Sequence, residues 1–190
     1  MLGLSRIITD AIEELTREEE MYRARRSEYE EVVRLCGRAM QMIHASRIDD
    51  AKVLYEDITK IVKNLPMLGS DEPSLVAMQE YSELSIMLSI VTGEDVPHYR
   101  ALGVSPDAYI LGLADAVGEL RRQVIEGLRR DDYAHANAMF DNMSEIYELL
   151  LPVRFSSSFL PGFRRKLDVA RSVVEQCRRD ILMYKISKNL

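Results

Sequence analysis

Four carboxylates in the middle of the chain, Glu80, Glu83, Asp115 and Glu119, stand where solvation alone does not account for them. On a helix, which advances about 100° per residue, Val76, Glu80, Glu83, Met87 and Val91 share one sector, while Gln79, Ser82, Ser85 and Ser89 share the opposite side. Glu80 and Glu83 thus interrupt an apolar stripe. Two carboxylates on a face meant for burial repel each other and lose solvation, so each has a raised pKa unless a cation sits between them. Asp115 and Glu119 lie four apart and are also neighbours on one helix face, where like charges cost stability. Ala108, Gly112 and Ala116 beside them leave room for another backbone or a substrate. That sector lies opposite the apolar stripe of Tyr109, Leu113, Val117, Leu120 and Val124, so the second pair taken alone is also compatible with a solvated surface.

Carboxylates without histidine or a reactive thiol suit Mg2+ or Mn2+, because hard cations prefer oxygen ligands. Such sites act on phosphates: a bound cation lowers the pKa of its water and neutralises charge building on a phosphodiester. Arg121, Arg122, Arg129 and Arg130 follow the second pair and can hold a phosphate backbone.

The elements that must position these groups read as helices throughout. With 190 residues, 47% hydrophobic, nine Gly, six Pro and no alternating β-branched runs, the chain is expected to form one all-α domain over residues 1–190. A long first helix spans about Ser5 to Ser46, with a charged waist around Glu18 to Arg26 that either projects from the core or breaks the helix in two. So long a helix with so polar a middle packs against something outside its own domain. A second helix, capped by Asp49 or Asp50, runs to Pro66, and Leu68 to Pro73 form a loop. The third carries Glu80 and Glu83 and ends near Gly93; Glu94 to Gly103 connect it to a fourth. Ser105-Pro106-Asp107 combines a capping hydroxyl, a proline and a first-turn acid, and starts that fourth helix, which reaches about Arg130. A fifth helix begins at Asp131 or Asp132 and stops by Pro152; after a Ser- and Phe-rich loop a last helix runs toward the C-terminus.

Several chemistries are excluded. Cys36 and Cys177, far apart, support neither a disulfide framework nor a zinc ribbon, and suit a reducing cytoplasm. The N-terminus is charged too early for a signal peptide, and no stretch approaches the roughly 18 apolar residues of a membrane span. His44, His98 and His135 form no Glu-x-x-His, so a ferritin-like di-iron set is incomplete, and each histidine reads as structural or superficial. No phosphate-binding P-loop is present, and Ser156 to Ser158 lack triad partners. The net charge of −6 is unevenly spread: Pro161 to Leu190 hold eight Lys or Arg against three Asp or Glu, a local +5 that suits a phosphate-facing surface.

Ala77 to Met87 (AMQEYSELSIM), Asp107 to Ile125 (DAYILGLADAVGELRRQVI) and Gly162 to Lys185 (GFRRKLDVARSVVEQCRRDILMYK) resemble the translin family, and within it the branch of translin-associated factor X. The run Tyr109 to Gly112 and Asp131-Asp132-Tyr133 extend the resemblance over most of the chain after Arg26. It implies an all-α bundle of six to seven helices, assembled into a hollow octamer that holds single-stranded RNA or DNA. It also implies a metal-dependent endoribonuclease site of a Gln-Glu-x-x-Glu pair and an Asp-x-x-x-Glu pair, matching Glu80, Glu83, Asp115 and Glu119. Translin subunits lack the full acidic set, so four acids imply a catalytic subunit. The short N-terminal region resembles compact archaeal members, which would form homo-oligomers without a separate partner. The family's basic residues do not map cleanly; Arg25, Arg26, Arg122, Arg164, Arg165 and Lys166 are the candidates for contacts to nucleic acid.

Two other functions fit the same residues. All-α nucleotide pyrophosphohydrolases also use Glu-x-x-Glu, but follow it with Glu-x-x-Asp, whereas the order here is Asp-x-x-x-Glu. A non-catalytic single-strand binding protein would use the acids as a structural cluster.

Overall fold

The serine, proline and aspartate at positions 105–107 open the helix on which the bundle is built. The computed structural model describes residues 2–65 and 72–189. Among these, seven helices and no strands are found: α1 (Leu2–His44), α2 (Ile48–Asn64), α3 (Glu72–Thr92), α4 (Tyr99–Leu102), α5 (Pro106–Arg129), α6 (Tyr133–Leu150) and α7 (Phe163–Lys188). Pro66 and the loop expected from Leu68 lie outside the described residues, apart from Glu72 and Pro73, which belong to α3.

Helix α5 packs against α3, α6 and α7, and α3 packs in turn against α1 and α2. The core therefore lies between α3 and α5, with Ala77, Leu84, Met87, Ala116, Val117, Leu120 and Val124 sealed from solvent. A second apolar cluster of Leu111, Ala114, Leu150, Leu160 and Phe163 ties the segment after α6 and the start of α7 to the side of α5. This fixes the first turn of α7 beside the helix that carries Asp115.

The sector reading of α3 needs correction. Ser82, Ser85 and Ser89 are buried, while Val76, assigned to the apolar stripe, is exposed. Each serine hydroxyl donates to the carbonyl four residues earlier: Ser82 to Met78 at 2.7 Å, Ser85 to Tyr81 at 2.7 Å and Ser89 to Ser85 at 3.0 Å. With its polarity met inside its own helix, a serine packs as a small residue. The side opposite Glu80 and Glu83 thus carries a contact with α5, at Ser82. Likewise, the small residues Ala108, Gly112 and Ala116, placed opposite an apolar stripe, are buried and form the contact with α3.

Helix ends agree with the expected signals in part. Gly93 and Gly103 adopt φ of +71° just past α3 and α4, and Asp132 caps α6 by accepting from the His135 amide at 3.0 Å. Ser105 sits at the N-cap of α5 but makes no capping hydrogen bond, leaving Pro106 and Asp107 as the start signal. Helix α2 begins at Ile48, so Asp49 and Asp50 lie inside its first turn, favourably placed for the helix dipole, rather than capping it. The connection before α5 contains a single helical turn, α4, whose N-cap is His98: its Nδ1 accepts from the Arg100 amide at 3.1 Å.

Helix α1 does not break at its charged waist; it is continuous over 43 residues, about 65 Å. Tyr29 is its first buried side chain. Before it, Leu4, Ile7, Ile8, Ile12 and Leu15 repeat at helical spacing and are all exposed, an apolar stripe that nothing among the described residues covers.

Candidate functional site

Glu80 and Glu83 come from the middle of α3, Asp115 and Glu119 from the middle of α5, and the close helix contact brings the two pairs into one electrostatic environment. The contact depends on Gly112: a Cβ there would lie 2.8 Å from the Gln79 carbonyl oxygen, 2.9 Å from Ser82 Cβ and 3.0 Å from the Glu83 amide. Asp115 is the residue one turn further along α5.

Glu83 is the most deeply buried of the four, 7% exposed. Burial first, then Glu80, Asp115 and Glu119, push its carboxyl up to about 9, and Lys166 offsets only part of this. Glu80 is raised for the same reasons, burial first and then Asp115. Among the described residues neither carboxyl has a hydrogen bond or ion pair. Cys36 is buried nearby; desolvation, then Glu80 and Glu83, hold it as a neutral thiol.

The α5 acids are compensated instead. Lys166, from the first turns of α7, places Nζ 2.6 Å and 2.8 Å from the two Asp115 carboxylate oxygens. Gln79 Nε2 donates to Asp115 Oδ2 at 2.5 Å. Glu119 Oε2 lies 2.5 Å from His44 Nε2, at the end of α1, and 3.3 Å from the exposed Arg122. The bond to His44 is the main reason the Glu119 carboxyl is held below its ordinary value. Gln123 Nε2 approaches His44 Nδ1 at 3.1 Å, and an amide donor there leaves Nε2 to carry the proton toward Glu119.

As the side chains stand, no three His, Cys, Asp or Glu among the described residues gather closely enough to hold an ion. The reason is visible in the pairing: Lys166 holds Asp115 and His44 holds Glu119. The donor chemistry nevertheless fits a hard divalent cation, with two uncompensated, half-buried or buried carboxyls beside two more, and no thiolate.

The six basic candidates divide. Lys166, read as a nucleic-acid contact, is bonded to Asp115; Arg122 pairs with Glu119. Arg165 lines, with Lys166, Asp115 and Gly118, a cavity of about 380 Å3 that takes in Asp115 but none of the other three acids. Arg164 faces another cavity with Phe155, and Arg26, paired with Glu30, lines a third with Tyr22 and Tyr29 that holds none of the four acids. Arg25 bonds back to the Met21 carbonyl on the same stretch of α1.

Gln79, His44 and Gln123 were not found among the candidates from sequence. Gln79 lay on the side of α3 opposite the two acids, although it adjoins Glu80. His44 lies 75 positions from Glu119, and no local pattern marks it.

An all-α bundle with two electrostatically coupled carboxylate pairs on two packed helices is thus the class of protein defined by fold and site. The translin family model matches residues 55–187, and the chain belongs to the translin family. It is 30% identical over 161 residues to the uncharacterized protein MJ0175 of Methanocaldococcus jannaschii, a match covering 81% of this chain and 72% of that one. The crystal structure of AfC3PO superposes with a TM-score of 0.78 at 28% identity, covering 94% of this chain and 99% of that chain. The complex of AfC3PO with duplex RNA gives 0.76 at 28% identity, covering 93% and 97%. Apo-NeC3PO, at 20% identity, shares the fold with a TM-score of 0.78 over 93% of this chain and 96% of that one. No helix among the described residues is long and apolar enough to cross a membrane.

Proposed function

We propose that this protein is an Mg2+- or Mn2+-dependent endoribonuclease acting on single-stranded RNA, working as a catalytic, TRAX-like subunit of a closed homo-oligomer. The observation that carries the reading is Glu83: a buried carboxyl with three further acids around it and no compensating bond is unstable as an anion without a cation. Glu80, Glu83, Asp115 and Glu119 are the groups that would hold the ion. When bound, the ion activates water and neutralises charge on the phosphodiester. Arg165 and Lys166 on the cavity wall, and Arg122 paired with Glu119, would bind backbone phosphates on either side of the scissile bond. Support from outside the chain comes from AfC3PO, a structural neighbour at 28% identity that has been solved with duplex RNA.

The uncovered apolar stripe of α1 supports assembly with further copies, and the family resemblance sets the expected number at eight. A cytoplasmic location belongs to the same reading, in keeping with two cysteines that are both free thiols.

A second reading, a non-catalytic RNA-binding protein, is favoured by one observation: Lys166 and His44 already satisfy Asp115 and Glu119. One experiment separates the readings. Labelled single-stranded RNA, its duplex and a panel of nucleoside triphosphates are incubated with the protein in Mg2+, Mn2+ or EDTA. Metal-dependent internal cleavage of the single strand is expected. Binding without cleavage in any metal supports the second reading, and hydrolysis of triphosphates alone supports a nucleotide pyrophosphohydrolase.

A further inference from the structure

The ammonium of Lys166 straddles both oxygens of Asp115, the position a cation takes against a chelating carboxylate. It is the one ammonium that lowers the carboxyls of Glu80 and Glu83, yet both remain raised, so a single positive charge leaves the cluster under-compensated. Its side chain is 29% exposed and reaches the acids from the wall of the 380 Å3 cavity. The small residues Ala114, Gly118 and Ala170 leave that cavity open beside it. Arg165, its neighbour on the wall, has no ion pair among the described residues. A lysine stem has four rotatable bonds and a compact head, so it can swing between two partners a few ångströms apart.

We propose that Lys166 is the resident counter-ion of the site and a phosphate-positioning residue, giving up Asp115 to an incoming divalent cation and passing to an RNA phosphate held in the cavity with Arg165. The inference rests on the metal-dependent reading of the acid cluster. Charge drives the exchange in one direction. A divalent ion compensates the four acids better than one ammonium does, and its arrival repels Lys166 toward the cavity, where a phosphate next to Arg165 receives it. The site is therefore occupied by positive charge in both states, and the acids are never left wholly bare.

The test is calorimetric titration of Mn2+ into the full chain, wild type and Lys166→Met, with steady-state cleavage of RNA alongside. Removing the competing ammonium is expected to tighten Mn2+ binding roughly three- to tenfold, the worth of one partly exposed ion pair. The KM for RNA is expected to rise by about tenfold, with kcat changed less, as for loss of one charge-assisted phosphate contact. Lys166→Arg, which keeps the charge, is expected to restore most of the KM. Mn2+ binding that is unchanged or weaker in Lys166→Met, or an unaltered KM, overturns the exchange while leaving a metal site intact. A wild type that binds no Mn2+ overturns the exchange and the metal-dependent reading together. Should Lys166→Met fail to fold by circular dichroism, Lys166→Gln carries the same expectations.

Discussion

Gly112 on α5 lies against the backbone of Gln79 on α3 so closely that a methyl group on it would stand 2.8 Å from the Gln79 carbonyl oxygen. The spacing of the two acid-bearing helices is set at this point. Gly112→Ala is expected to destabilise the fold by about 1–3 kcal/mol through overpacking. Because the clash lies one turn from Asp115, it also separates the two acid pairs. Urea unfolding in EDTA reads the first effect, and loss of Mn2+ stabilisation in a thermal melt reads the second. A variant as stable as wild type shows that the helices have freedom to part.

The buried Glu83 carboxyl gives the metal-free protein a particular pH dependence. Burial and the neighbouring acids raise its folded-state pKa from the ordinary 4.5 to about 9. The folded chain thus holds a proton that the unfolded chain has released between these values. The associated stability is fully present below about 4.5 and is lost as pH rises toward 9. Glu83→Gln is expected to remove this fall and to stabilise the metal-free protein by about 1–3 kcal/mol at pH 8, part of the cost of keeping the carboxyl protonated above its ordinary range. Denaturant midpoints in EDTA across this range measure it. Equal slopes for wild type and variant count against an uncompensated carboxyl.

The pair of Glu119 with His44 acts in the opposite window. Glu119 is held below 4.5, chiefly by the hydrogen bond from His44, so its contribution is present above that value and is lost as pH falls. His44→Ala is expected to cost about 1.5–3 kcal/mol at neutral pH, typical of one hydrogen bond to a charged group, and less below pH 4. Acid unfolding curves that stay parallel at every pH place His44 outside any role in holding Glu119.

Much of this arrangement was legible in the chain because its signals are local. Pro106, Gly93, Gly103 and Asp132 mark helix ends by backbone chemistry that needs no partner. Glu80 and Glu83 announced themselves as acids within an apolar run. What was not legible depends on which helix lies against which. Ser82, Ser85 and Ser89 look polar in sequence and are core residues, because their hydroxyls are spent on their own helix. The bond between His44 and Glu119 joins the end of α1 to the middle of α5, and the pairing of Lys166 with Asp115 arises only once Leu160 and Phe163 have seated α7 on α5.

The exposed Leu4, Ile7, Ile8, Ile12 and Leu15 stripe gives an expectation about assembly. Light scattering at micromolar concentration should give a mass several times the 21.8 kDa of one chain. Ile8→Glu with Ile12→Glu, both on the projecting part of α1, should lower that mass without unfolding the bundle. A wild type that runs as a monomer contradicts this.

The most direct test of the acid cluster as a cation-dependent RNA-cleaving site is single-turnover cleavage of one labelled single-stranded RNA in Mn2+ by wild type, Glu83→Gln and Asp115→Asn. Thermal melts of the same samples are recorded with and without the ion. The expected result is cleavage by wild type alone, about a hundredfold or more above either variant, with Mn2+ stabilising wild type and hardly affecting the variants. A Glu83→Gln or Asp115→Asn protein that cuts the RNA as fast as wild type would contradict it.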